Sequence, residues 1–337
     1  MKAIGFNQPL PIENKDALID IELPTPELGA RDILVAVKAV SVNPVDMKVR
    51  GSFQPAEGEY RVLGYDAAGI VQAVGSEVQN FKIGDEVYYA GALTRQGSNA
   101  ELQAVDERIV ALKPKSLSFA EAAALPLTTL TAWETLFDRL DVEKSIVGGA
   151  NSLLLIGGAG GVGSLAIQLL KQLTDLTVIA TASRPESQAW VKQLGADFVI
   201  DHRQDLAEQV AKLGIGEPSF VFSTNYTETY VEQIAELIAP QGRLALIDDP
   251  ENLNIMPLKW KSVSIHWEFM FTRSMSNTVD IARQGEILAK VAELVDTGKL
   301  KTTTNHIIQG INAENLRKAH SLIEQGDTIG KIVLADW

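Results

Sequence analysis

A strand, a glycine-crowded turn and a helix in direct succession, followed by further strand–helix alternation, constrain this chain more than any other feature. "LLLIGGAGGVGSLAIQLL" runs from Leu153 to Leu170 and sets its glycines between two strongly apolar runs. Strand-like "TVIAT" (177–181), "FVI" (198–200), "FVFST" (220–224) and "RLALID" (243–248) then alternate with helical "ESQAWVKQLG", "DLAEQVAKLG" and "TYVEQIAELI". Strands separated by helices of about ten residues predict βαβ units on a doubly wound parallel sheet, an α/β fold. Within the turn, Gly158-Ala159-Gly160-Gly161-Val162-Gly163 matches G-x-G-x-x-G. One such glycine makes the tight turn, a second lets backbone approach a pyrophosphate, and a third lets helix and strand close together. The helix N-terminus then faces the phosphates. Taken alone the pattern also fits a glycine turn with no ligand, or the loop of a methyltransferase. The βαβ context favours a dinucleotide.

Which dinucleotide follows from the end of the next strand, where NAD binders place an acid about 20 residues on to hold the ribose 2′-hydroxyl. Here that region reads Thr181-Ala182-Ser183-Arg184-Pro185, with no acid before Glu186. A hydroxyl followed by an arginine suits a 2′-phosphate. NADP(H) is therefore the expected cofactor, and Arg184 pairing with Glu186 instead is the competing arrangement.

The 337 residues allow about two domains. Before about residue 125 the chain reads as short β segments between Pro and Gly, for example 32–42, 68–75 and 85–91. Ser118 and Glu121 have capping-box spacing for a short helix, and Pro126 follows it. The expected division is a mainly β domain over 1–125 and 272–337, interrupted by a dinucleotide-binding domain over 126–271. The helical runs at 280–297 and 312–325 and the closing strand "KIVLAD" are expected to rejoin the first domain. Lys and Arg number 30 against 43 Asp and Glu, a net charge of −13. That balance argues against nucleic-acid and anionic-membrane partners. No apolar run reaches the roughly 18 residues of a membrane span, and the opening lacks the apolar core of a signal peptide. The expectation is a cytoplasmic protein. There is no cysteine, which removes disulfides, thiolate zinc sites and a cysteine nucleophile.

With "SVNPVDMKVRG" (41–51), "LGYDAAGIVQAVGSEVQNFKIGDEV" (63–87), "AALPLTTLTAWETL" (123–136), "HWEFMFTR" (266–273) and "GKIVL" (330–334) added to the glycine loop, the chain resembles the medium-chain dehydrogenase/reductase superfamily over nearly its full length. It is most similar to the zinc-independent quinone oxidoreductase branch. The resemblance implies a GroES-like catalytic domain beside a Rossmann domain. It also implies a nicotinamide-dependent redox reaction and a homodimer joined through Rossmann sheet edges, for which 262–271 is the apolar candidate. Zinc-dependent members carry a cysteine where Asn43 stands and a histidine of a Gly-His-Glu motif where Tyr65 stands, between Gly64 and Asp66. The four-cysteine structural lobe is also missing. No metal is expected.

Without a metal the substrate oxygen needs hydrogen-bond donors. This suits reduction of a quinone or an α,β-unsaturated carbonyl, whose charge is delocalised as it forms. By position in the family, Asn43 lies beside the nicotinamide and Tyr65 points a hydroxyl at the substrate, with Lys48 a further candidate. Thr131 matches a residue near the nicotinamide ribose and phosphates, and His202 one near the 2′-phosphate. Ser223, Thr224 and Ile247, with Asp248, end strands where a doubly wound sheet binds its ligand. Asp66 reads as an ion-pair or turn residue rather than a base. An NADPH-dependent quinone or enone reductase leads. A zinc alcohol dehydrogenase and a non-catalytic redox sensor are the alternatives.

Overall fold

The computed structural model describes Met1–Trp337. The chain divides into two compact units, one of Met1–Leu130 with Phe271–Trp337 and one of Thr131–Met270. The sequence-based expectation sets its boundaries at 126 and 271. The difference at the first lies inside one helix, Pro126–Trp133.

The first unit opens with β1 (Lys2–Phe6), β2 (Ile19–Glu22), β3 (Asp32–Ser41), α1 (Pro44–Ser52), β4 (Arg61–Val62), β5 (Asp66–Val74) and β6 (Glu86–Tyr89). It continues through β7 (Leu102–Asp106), β8 (Val110–Leu112), α2 (Phe119–Ala123) and the start of α3 (Pro126–Trp133). The capping box is present at α2: the Glu121 N–H donates to Ser118 Oγ, and the Ser118 N–H donates to the Glu121 carboxylate at 2.9 Å.

The second unit begins at Thr131 within α3, which passes into a wider π-helical turn over Glu134–Arg139. It then alternates through β9 (Ala150–Ile156), α4 (Gly161–Leu173), β10 (Thr177–Thr181), α5 (Pro185–Gln193), β11 (Phe198–Ile200), α6 (Leu206–Lys212), β12 (Pro218–Ser223), α7 (Thr227–Leu237), β13 (Arg243–Leu246) and β14 (Ser264–Trp267). The chain returns to the first unit with α8 (Thr272–Ser276), α9 (Arg283–Asp296), β15 (Thr304–Gln309), α10 (Ala313–Glu324) and β16 (Lys331–Ala335).

In the first unit a seven-stranded sheet runs β15-β16-β3-β5-β6-β8, with β7 also on β3, and a three-stranded sheet runs β2-β1-β4. Strand β3 is the hub. It pairs β5 between Ile33 and Ser41 along one edge, while β7 (from Asp32 to Ala36) and β16 (from Ala39 to Ser41) share the other. Every residue of β16 is buried, so the last strand of the chain is a core strand. Its Val333 lies opposite Ser41, two residues before Asn43. The apolar core gathers Phe6, Val35, Val40, Leu63, Leu316 and Leu334 among others.

The second unit is one parallel sheet in the order β11-β10-β9-β12-β13-β14. Counted from β9 this is 3-2-1-4-5-6, the dinucleotide-binding order. Leu154, Ile156, Ile179 and Val221 pack with Ile234 and Leu237 of α7. Their near-continuous apolar runs follow from burial on both sheet faces. Proline at 218 is tolerated because it is the first residue of its strand. Strand β14 is the outermost strand of this sheet, pairing only with β13.

Candidate functional site

In the second unit the chain turns from β9 into α4 around Gly157, whose N–H donates to the Thr181 hydroxyl at 3.0 Å. Gly157 adopts φ +82°, and a Cβ there would lie 2.1 Å from Thr224 Oγ1. Thr224 Oγ1 in turn donates to the Ile156 carbonyl at 2.9 Å. Threonines at the ends of β10 and β12 thus pin the loop from both sides. A Cβ on Gly163 would stand 2.4 Å from the Gly157 carbonyl oxygen, so the first turn of α4 lies directly against the loop. Gly160 is different. A Cβ there meets nothing nearer than 3.7 Å, and no side chain caps α4 at this residue. The first-turn N–H groups of a helix have no intrahelical partner, so those beside Gly161, Val162 and Gly163 face an open cradle suited to a phosphate.

The other cofactor candidates of this unit lie at the same end of the sheet. Ser183 and Arg184 follow β10, His202 follows β11, Ser223 and Thr224 end β12, and Ile247 follows β13. Arg184 Nε lies 3.2 Å from Glu186 Oε1, with its side chain 34% exposed. A second cation stands beside it that the sequence reading passed over. Arg203 pairs with Asp201 at 2.7 Å and donates to the Ser183 carbonyl at 2.6 Å. The Arg203 hydrogen bond holds the Asp201 carboxyl below its usual range. Burial lowers the pKa of His202, with Asp201 opposing. A neutral imidazole at that place offers a hydrogen bond rather than charge. Ser223 and Asp248 spend their side chains on α7: the Thr227 hydroxyl donates to Asp248 Oδ1 at 2.6 Å, and its oxygen stands within hydrogen-bond distance of Ser223 Oγ at 2.8 Å. Thr131 is not at the strand ends. It lies buried on α3, its carbonyl accepting from the Thr135 hydroxyl.

In the first unit Asn43, Asp46, Tyr65 and Asp66 are each at most 1% exposed. Asp46 joins the two loops that carry them, accepting from the Asn43 N–H at 2.8 Å and the Gly64 N–H at 2.9 Å. Burial raises the pKa of Asp46 to about 7. Burial, with the Asp46 carboxylate adding to it, also raises that of Tyr65, against the opposing pull of the Arg61 guanidinium. Tyr65 packs edge-on against Phe271 at 5.3 Å, and its hydroxyl has no well-formed hydrogen bond. Asp66 collects four donors. Its Oδ2 accepts from Ser41 Oγ at 2.7 Å, Asn43 Nδ2 at 2.8 Å and Lys331 Nζ at 3.1 Å, and its Oδ1 accepts from the Leu127 N–H at 2.7 Å. The ion-pair reading of Asp66 is met, and its partner is Lys331. The Asn43 amide faces this cluster, its oxygen accepting from Lys331. Lys48 is exposed on α1. Removing one partner from a buried pair such as Lys331–Asp66 costs about 3–5 kcal/mol.

This set does not fit a zinc ion, which takes about four close N, S or O ligands. The Asn43 oxygen already carries an ammonium, both Asp46 oxygens are taken by N–H groups, and the Tyr65 phenol is held protonated. No three His, Asp or Glu side chains gather as a metal site. No helix is long and apolar enough to cross a membrane.

Comparison with known proteins places these features. Residues 29–130 match the alcohol dehydrogenase GroES-like domain, and residues 194–334 match the zinc-binding dehydrogenase family. A zinc-type alcohol dehydrogenase-like protein of Staphylococcus aureus is 42% identical over 99% of both chains. The 2-methylene-furan-3-one reductase of Solanum lycopersicum is 34% identical over 94% of this chain and 74% of its own. The crystal structure of a "putative zinc-dependent alcohol dehydrogenase protein" from Rhizobium etli is 58% identical with a TM-score of 0.98, covering 100% of this chain and 98% of that one.

Proposed function

The chain belongs to the medium-chain dehydrogenase/reductase superfamily, and from that premise we propose that it is an NADPH-dependent reductase of quinones or α,β-unsaturated carbonyls that works without zinc. The observation that carries the reading is the placement of Lys331. Its ammonium stands against Asn43 and Asp66, in a cluster with no free ligand for a metal. The substrate oxygen then depends on protein hydrogen bonds, which favours acceptors whose negative charge spreads as the hydride arrives. A plant relative named for reducing a methylene-furanone points to the same acceptor chemistry.

When bound, the dinucleotide supplies a hydride, which together with one proton reduces the conjugated C=C or the quinone. The loop from Gly158 to Gly163 and the uncapped start of α4 bind the pyrophosphate. Ser183, Arg184 and Arg203 receive the adenosine 2′-phosphate, and His202 adds a neutral hydrogen bond. Tyr65 keeps a proton on its hydroxyl, because burial and Asp46 disfavour the phenolate. The hydroxyl is buried without a well-formed partner, and its proton is the donor we assign to the oxygen on which charge develops, once that oxygen reaches it. Lys48, exposed on α1, is the second side chain we assign to that oxygen.

The test is oxidation of NADPH and NADH followed with a panel of quinones, enals, enones and simple aldehydes, with and without chelator, alongside elemental analysis. Expected are turnover with conjugated acceptors, activity retained in chelator, and less than about 0.1 zinc per chain. Turnover confined to simple alcohols and aldehydes, or stoichiometric zinc, would overturn the proposal.

A further inference from the structure

Lys331 opens β16 and is 4% exposed, one of few cations inside the first unit. An ammonium has three donors, and all three are spent inward. They go to the Val42 carbonyl at 2.9 Å, to Asn43 Oδ1, and to Asp66 Oδ2 at 3.1 Å. That contact decides the orientation of the Asn43 amide. With Oδ1 on the ammonium, Nδ2 turns to Asp66 at 2.8 Å and to the Ser41 carbonyl at 3.4 Å. The backbone is gripped as well, since the Asn43 N–H donates to Asp46. Asn43 is the residue from which α1 departs, and α1 carries Lys48.

Resting on the reductase reading above, we propose that Lys331 is a positioning residue. Its buried ammonium locks the Asn43 amide and so fixes the turn that launches α1 and Lys48. The cation that organises this site is supplied by the chain itself, from its last strand. Methionine is close to lysine in length but cannot donate. In Lys331→Met the Asn43 oxygen and the Val42 carbonyl lose their donor, and the amide is free to turn over. Lys331→Gln keeps a neutral donor, and Lys331→Arg keeps the charge.

The experiment uses the full-length protein and three readouts: steady-state kinetics with an enone, NADPH affinity by fluorescence titration, and the side-chain NH2 resonances of ¹⁵N-asparagine-labelled protein, assigned through Asn43→Asp. Expected for Lys331→Met is a fall in kcat of about 10- to 100-fold, the scale of a misplaced reacting group. The Kd for NADPH should stay within about two-fold, since the residues proposed to hold it belong to the other unit. The Asn43 NH2 pair should shift and lose protection from exchange, and Lys331→Arg should recover most of kcat. A role in stability alone predicts lowered Tm with kcat intact in the folded fraction and an unmoved Asn43 resonance, and either of these overturns the proposal. If the methionine variant does not fold, the glutamine variant is read by the same criteria. If wild type reduces no acceptor in the panel, the reductase reading fails while the Asn43 resonance still decides the role of Lys331.

Discussion

Arg203 donates from Nη2 to the Ser183 carbonyl at 2.6 Å, bringing a second guanidinium to the strand end where Arg184 stands. A phosphate meeting an arginine makes charge-assisted bonds of roughly 1.5–3 kcal/mol. Wild type should therefore prefer NADPH by about 10- to 100-fold in kcat/KM, equivalent to about 1.4–2.7 kcal/mol. Arg184→Ala and Arg203→Ala should each raise the KM for NADPH and leave NADH kinetics and kcat nearly unchanged. Glu186→Gln should lower the KM for NADPH, because Glu186 competes for Arg184. Side-by-side kinetics with both cofactors check all three, and equal use of the two by wild type would count against the assignment.

Two glycines of one loop should respond differently to the same methyl group. In Gly163→Ala the new carbon meets the Gly157 carbonyl at 2.4 Å, so the helix must back away from the loop and the melting temperature should fall. Gly160→Ala has open space and a φ of −69° that alanine accepts. It should melt within about 2 °C of wild type and yet bind NADPH at least about ten-fold more weakly, because the methyl fills the phosphate cradle. Melting curves and cofactor titration on the two variants would expose an error if Gly160→Ala bound normally.

Asp46 gives a pH dependence of defined sign. Its folded-state pKa, raised by burial to about 7, exceeds the ordinary 3.8. Between those values the folded chain holds a proton that the unfolded chain has released. The stability this provides is present below about pH 4 and is lost as pH climbs through 7. Asp46→Asn imitates the protonated form at every pH. The difference in Tm between variant and wild type should move in favour of the variant by at least about 2 °C from pH 5 to pH 8. Acids shifted the other way, such as Asp32 beside Arg95, act alike in both proteins and cancel. A difference independent of pH would show that Asp46 is ionised throughout.

Strand β14 leaves one edge unpaired, with Trp267 57% and Phe269 49% exposed around it. An open apolar edge of this kind invites another strand. We expect a homodimer at micromolar concentration, and Trp267→Asp should shift it toward monomer. Light scattering on both proteins is decisive, and a monomeric wild type would remove this role from β14.

The parallel sheet was readable because both its faces are buried, so strands announce themselves as apolar runs and helices as the segments between. Strand "TVIAT" coincides with β10 to the residue. Strand β15 escaped because five of its six residues are at least partly exposed, leaving no alternation to detect. At the candidate site the glycine loop was legible from spacing, whereas Lys331 and Arg203 were not. Lys331 meets its partners 265 to 289 residues away, and no local pattern encodes such a contact. One sign was available: a lysine opening an otherwise apolar core strand needs a buried acid. The Asn43 amide turns inward onto that lysine and Asp66, a contact that its own segment does not announce.

The distance between Lys331 and the Val42 carbonyl along the chain, 289 residues, also sets a timetable. At roughly 5–20 residues per second a ribosome needs on the order of 15 to 60 seconds to bring out β16 after β3 has emerged. For that interval Asp66 has no ammonium, and β3 lacks its neighbour at Ala39–Ser41. The whole of the second unit is synthesised within the same interval. The second unit can thus be complete on the ribosome while the first still waits for β16, so a nascent chain stalled shortly before Lys331 would hold a finished glycine loop and an unfinished cluster around Asp66.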